Sequence, residues 1–430
     1  MVIVFVEHIT ERLGYTLEFV FKDRGVLYTV TNDVKVFELS KEFKLNYSNV
    51  EIQSNLQIQP ANLLFDEEIL PYGITKGLFF KEECLAFNYK IDPLASIFYV
   101  LSRMEEYIVK NRDQHDRFIA KESILYRFDW MEKLVCERWS MDLIAKMQQH
   151  GFNETVNPIP LKIIPSFDID NAYAFLHKGL LRRWGAIVKD FLGNKWKRMN
   201  ERNRVLLGLK KDPYDTFEQI LQLTNDFDEI FVFWLLGDYA KYDRNVHHKK
   251  KAQRNLIRQV NESAVLGIHP SYKSNSYEYF FYVEKERLEH ILHAPIIHSR
   301  QHFLMLKFPN TYRTLLEMGI KHDYTLGFAE ELGFRAGTVR SFKWFDLLRN
   351  ETTDLVIHPF SYMDGTLNDY LRLNPDEAIQ KIKVLFTEVS QFGGDFIFIW
   401  HNETIGNYGR WEHWQKVFQE TIQLKPKHEH

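Results

Sequence analysis

Cysteine is almost missing from this chain: Cys84 and Cys136 are the only two in 430 residues. That excludes a disulfide framework and a cysteine-rich zinc site. One disulfide stays open, and two reduced thiols in a cytosolic chain is the simpler reading. Long apolar runs are missing too, since no window approaches the roughly 18 residues of a membrane span. The start, Met1-Val2-Ile3-Val4-Phe5-Val6-Glu7-His8, lacks the basic residues and the longer apolar region of a secretory signal. A soluble, cytoplasmic protein is therefore expected. Charge of one sign is also absent: Lys+Arg 55 against Asp+Glu 58 gives −3. No nucleic-acid partner is expected from so balanced a surface.

What is present is an ordinary globular composition, 45% hydrophobic and 26% charged, which excludes extended disorder. The length suits two or three domains, or a barrel with a smaller partner. Aromatic residues reach 15%, which fits large cores and carbohydrate pockets equally. Residues 1–158 read as a mixed α/β unit. Tyr15–Phe21 and Val26–Val30 have strand composition. Asp92-Pro93 supplies an N-cap and N1 pair for a helix to Val109, and a second helix is expected over Trp130–His150. The two prolines in Asn153–Pro160 mark a linker, and no catalytic cluster stands out before it. From 159 to 430 short apolar runs alternate with helical spacing. The runs are Leu161–Ile164, Ile230–Leu236, Ala264–Ile268, Asp354–Ile357 and Phe396–Trp400, with a helix over Pro375–Phe392 before Gly393-Gly394. Such alternation predicts an α/β fold with a distorted parallel (β/α) barrel of about seven strands, whose chemistry sits at the C-terminal strand ends.

Those ends carry the polar exceptions. The first run ends in Ser166-Phe167-Asp168-Ile169-Asp170, whose two carboxylates at i and i+2 share one side of an extended segment. They could share a metal ion or a proton, or merely cap a turn. Another run ends in His269-Pro270-Ser271-Tyr272. Ile296-Ile297 breaks into His298-Ser299-Arg300-Gln301-His302, and the last run ends in Trp400-His401. In this order the residues resemble the NodB-homology polysaccharide deacetylases of carbohydrate esterase family 4. The resemblance covers residues 161 to 415 and extends to the segment Gly319–Asp323, and a divergent subgroup of that family carries an N-terminal extension like this one. It implies Asp168 as general base, Asp170 and His269 as metal ligands, Arg300 orienting the base, and His401 protonating the leaving amine.

The chain departs from the family at Lys273, which stands where a second histidine ligand is usual. An ammonium group is no ordinary zinc ligand, so His302 is the first candidate replacement and His298 the second. The implied activity is hydrolysis of an N-acyl amide on a carbohydrate, with a divalent metal, zinc, as cofactor. A metal-dependent amidase on a small non-sugar amide and a non-catalytic glycan-binding barrel are the alternatives. Candidate substrate contacts are Tyr272, Arg335, His358, Asp364 and Trp400. Lys178–Lys211 carries eleven Lys or Arg beside an apolar stripe of Leu180, Leu181, Trp184, Ile187, Val188, Phe191 and Leu192. The preferred expectation is a helix packed on the barrel with a solvated basic face; the other is peripheral contact with anionic membrane. The run Arg244–Arg258 is expected to be an exposed loop and helix. Lys425–His430 is too short and mixed to interpret.

Overall fold

A computed structural model describes residues 1–424, so Lys425–His430 lie outside the described residues. The chain opens with a parallel four-stranded sheet in the order β2-β1-β3-β4, built from β1 (Val2–Phe5), β2 (Tyr28–Thr31), β3 (Phe43–Asn46) and β4 (Leu56–Gln57). The strand expected at Tyr15–Phe21 is instead part of a helix, Glu11–Phe21. Thr10 caps it by accepting the Leu13 amide, and Leu13, Leu17, Val20 and Phe21 fall on one buried face. A helical period with a good cap outweighs the strand preference of single residues. Asp92 does cap a helix, Pro93–Leu101, but that helix breaks before Glu105–Ile108 where Arg103 has a φ of 55°. Another helix spans Val135–Gln149. Both cysteines are buried and free. Three short antiparallel strands, β5 (Ile74–Leu78), β6 (Glu83–Phe87) and β7 (Lys90–Ile91), complete this part.

The second sheet has nine strands: β8 (Leu161–Ile169), β9 (Phe231–Trp234), β10 (Val265–Ile268), β11 (His298–Ser299), β12 (His322–Asp323), β13 (Phe342–Asp346), β14 (Glu351–Ile357), β15 (Tyr362–Met363) and β16 (Gly394–His401). Their order is β13-β14-β12-β11-β10-β9-β8-β16-β15, parallel throughout except for the β13–β14 pair. The expected α/β fold with a largely parallel sheet is present, but where a distorted barrel of about seven strands was expected the sheet has nine strands and no closed ladder among the described residues. Among the described residues no ladder joins the two edge strands, β13 and β15. The sheet still encloses an inner core of Ile164, Phe231, Phe233, Tyr324, Phe360, Ile397 and Ile399. The helix Pro375–Phe392 forms as its sequence predicts, with a reciprocal Asn374–Glu377 capping box.

The two sheets share one continuous apolar core, in which Phe345 on β13 packs against Tyr15 and Phe98. Buried ion pairs cross the same boundary. Glu137 takes Arg24 and Arg340, and Glu106 takes Arg103 and Arg335. The basic segment 178–211 forms two helices, Leu180–Leu192 and Trp196–Leu206. Contrary to the preferred expectation, most of the described apolar stripe of the first is turned to solvent: Leu180, Trp184, Val188, Phe191 and Leu192 are exposed, and Ile187 is half-buried.

Candidate active site

Strand register explains why distant polar residues meet. Ile169, Trp234, Ile268, Ser299 and Asp323 lie in one row across β8 to β12. Asp170, His269 and Arg300 each follow one residue beyond it, at the C-terminal end of the sheet. On the other flank of β8, His401 pairs with Asp168. His302 lies on the turn after Arg300, where its backbone amide donates to the Pro270 carbonyl at 3.2 Å and brings the loop against His269.

The resulting constellation has a specific polarity. His269 Nδ1 lies 2.6 Å from the Arg300 carbonyl oxygen, and His302 Nε2 lies 3.2 Å from the Tyr242 carbonyl oxygen. A carbonyl only accepts, so those two nitrogens donate. The remaining nitrogens, His269 Nε2 and His302 Nδ1, face each other at 3.1 Å. Asp170 Oδ1 stands 3.3 Å from each. That oxygen is buried and has no hydrogen-bond partner, although about 33% of the side chain is open to the pocket. Two imidazole lone pairs and a carboxylate oxygen so placed repel one another unless a cation, a proton or a metal, lies among them. Two nitrogens about 2.1 Å from a common zinc ion come within about 3–3.5 Å of each other, so the spacing suits a metal. Among the described residues these three form a group whose ligand atoms all lie within 4.8 Å of one another.

Two charged pairs flank the group. Arg300, fully buried, donates from Nη1 to Asp168 Oδ1 at 2.9 Å and from Nη2 to Ser166 Oγ. His401 Nδ1 is bonded to Asp364 Oδ1 at 2.8 Å, while its Nε2 lies 3.8 Å from Asp170 Oδ2. Burial alone would lower the His401 value, but Asp364, then Asp170 and Asp168, lift it well above the ordinary imidazole range. Burial alone would raise Asp170, yet His302, His269 and His401 hold its carboxyl well below the usual range. Burial would lower His302 as well, and Asp170 overrides it, pushing the group up to about 9.

None of the five candidate substrate contacts lines the pocket at this group. Asp364 is buried behind His401, accepting also from Thr404 Oγ1. Trp400 packs on Phe418 and donates to the Tyr362 hydroxyl, because alternate strand residues face away from the interior. Arg335 spends its guanidinium on Glu106 and the Gly327 carbonyl. Tyr272 stacks in a group with His115, Tyr242 and Phe303. His358 stacks on Tyr324 and meets His322, and His298 belongs to the same cluster two strand rows from the ligand set. Burial lowers His358 to about 3 and His298 to about 4, with neighbouring histidines adding to it. Lys273 points away, its ammonium 3.9 Å from the Phe280 ring centroid.

The pocket is lined instead by Phe303, Asp369, Tyr370, Glu403, Arg410 and Trp411, and by Arg117 from the N-terminal part. Arg117 reaches it by donating to the Phe303 carbonyl and the Tyr370 hydroxyl. No local pattern marks it, because its partners lie 186 and 253 residues away.

Residues 2–152 match a family model described as a family of unknown function, DUF7033. That match falls on the part of the chain outside the deacetylase resemblance. No curated protein matches the chain. Among solved structures, the chain is similar to a Mycobacterium smegmatis protein assigned as a polysaccharide deacetylase. The identity is 13% over 63% of this chain and 90% of that one, with a TM-score of 0.38. It is also similar to Puue allantoinase at 11% identity over 62% and 85%, again with a TM-score of 0.38.

Proposed function

We propose that this chain is a zinc-dependent hydrolase that removes an N-acyl group, N-acetyl foremost, from a carbohydrate or glycan precursor. One observation carries the reading: the unpartnered Asp170 Oδ1 converges with His269 Nε2 and His302 Nδ1 between two polarised pairs. Asp170, His269 and His302 are the residues that would hold the ion. A divalent metal there supplies an acidified water and a Lewis acid for the amide carbonyl.

The chain's own groups supply the proton transfers. Asp168, oriented by Arg300, accepts the proton of the attacking water. His401, charged at neutral pH because Asp364 holds its Nδ1 proton, returns a proton through Nε2 to the departing amine. Without that proton the amine leaves too poorly to break the C–N bond. Tyr370 and Trp411 offer flat apolar faces, while Asp369, Glu403, Arg410 and Arg117 offer hydrogen-bonding edges, a mixture suited to a sugar ring. In the same proposal residues 1–158 form a unit that lends Arg117 to the pocket, and residues 159–430 carry the chemistry.

The test is acetate and amine release from N-acetylated sugars and from small amides, using zinc-loaded protein. Asp168→Asn and His401→Gln are expected to keep zinc and lose about 10²–10⁴-fold in turnover. A zinc-loaded protein that releases nothing from either panel, or a His401→Gln variant as active as the parent, overturns the assignment. Turnover of the small amides alone would move the substrate class and keep the chemistry.

A further inference from the structure

We infer that the helical hairpin at residues 180–209 seats this protein on an anionic lipid bilayer. On an ordinary surface helix the apolar stripe faces the protein and the charges face water. Here the first helix is reversed. Leu180, Trp184, Val188, Phe191 and Leu192, at spacings of three, four and one, share one face and are 74%, 66%, 52%, 55% and 76% exposed. Part of its polar side is tied down, to the body through Arg182 and to the second helix through Asp190. Arg182 donates to the Asn245 carbonyl and stacks over Tyr239, and Asp190 is buried against Arg202 of the second helix. Trp196 packs on Phe191 and is itself exposed, as are Leu207 and Leu209 at the end of the second helix.

Charge identifies the occupant. Residues 178–211 hold eleven Lys or Arg against one Asp and one Glu, a net +9 in a chain whose total is −3. Arg183, Lys189, Lys195, Lys197, Arg198 and Arg204 are exposed around the apolar stripe. Apolar residues ringed by cations, with tryptophans among them, suit the boundary between acyl chains and anionic headgroups. A second copy docked hairpin to hairpin would oppose like charges. The neighbouring loops agree: at the same end of the sheet, Tyr239 follows β9, and Tyr277 and Tyr279 follow β10, all three exposed. No helix among the described residues is long and apolar enough to cross a membrane, so the contact is with one face of the bilayer.

The hairpin leaves the C-terminal end of β8, the end that carries Asp168 and Asp170, and Phe175 before it packs on Tyr408 beside the pocket residues Arg410 and Trp411. The pocket and the hairpin thus lie at the same end of the sheet. Resting on the hydrolase reading, this points to an amide borne on a lipid-anchored carrier.

Vesicle flotation of the full chain tests the docking without requiring turnover, so its failure is distinct from failure of the hydrolase reading. The protein is expected to float with phosphatidylcholine vesicles containing about one-third phosphatidylserine and to stay behind with phosphatidylcholine alone. Trp184→Ser with Leu192→Ser should weaken partitioning at least tenfold. Lys197→Gln with Arg198→Gln should weaken it about 25-fold, at about fivefold per charge. These side chains are exposed, so circular dichroism of the variants should match the parent. No flotation with anionic vesicles overturns the inference, as does flotation unchanged by both double variants. So does a dimer in sedimentation velocity that the Trp184→Ser, Leu192→Ser variant dissolves.

Discussion

Replacing His302 by alanine removes one of three converging ligand atoms and leaves the strand ends intact. Apparent zinc affinities of four-ligand protein sites are about 10–16 kcal/mol, or about 2.5–4 kcal/mol per ligand. His302→Ala should therefore weaken zinc binding by about two to three orders of magnitude in a competition titration against a chelating dye. The same titration has a pH signature. His302 is pushed up to about 9 in the metal-free site, so below that pH a metal must displace its proton. Affinity should rise about tenfold per unit between pH 7 and 9 from this group alone. His302→Ala should lack that part of the slope. His298→Ala is the control: its ring stacks on His322, in a separate cluster, so affinity should not change. Undiminished affinity in His302→Ala, or an equal loss in His298→Ala, would refute the ligand assignment.

Asp364→Asn should lower turnover about 10–150-fold through loss of one charge-assisted hydrogen bond. Asp364 raises His401, and in the proposed mechanism His401 acts in its protonated form, so the alkaline fall in activity should move to lower pH in the variant. An alkaline limb that stays in place would count against this role. Glu137→Ala leaves Arg24 buried without a carboxylate and Arg340 with only the half-exposed Asp23 and should cost about 3–5 kcal/mol in urea denaturation; a loss below about 1 kcal/mol would disprove the buried-pair account. In the parent, burial alone would raise Glu137, but Arg340 and Arg24 lower it. Its contribution to stability is thus complete above the unfolded carboxyl value of about 4.3. It is lost as pH falls through the lower folded value. The Glu137→Ala variant should show less of this acid dependence.

The sequence by itself determined five of the nine strands of the second half and the polar ends of those that carry the site. Apolar runs that break at Asp168, His269, Arg300 and His401 are local patterns, and parallel register then sets those breaks side by side. The Asn374 capping box was legible for the same reason: its partner, Glu377, is three residues away. Tertiary structure decided the rest. His298 and His302 look alike in sequence, but only the turn tied to Pro270 carries one of them to His269. Asp364 and Arg335 read as pocket residues, yet each is buried on a partner 37 or 229 residues distant. Tyr15–Phe21 has strand composition and became helix because a cap and one packed face outweighed it. That the sheet stays open between β13 and β15 was likewise undetermined, since which strands meet at an edge depends on residues far apart in the chain. The basic hairpin shows the limit most clearly. Amphipathic spacing gave the helix and its two faces, but which face turned inward was settled by Arg182 on Asn245 and Asp190 on Arg202. Periodicity specifies that a helix has two unlike sides; only packing against the rest of the chain assigns one of them to solvent.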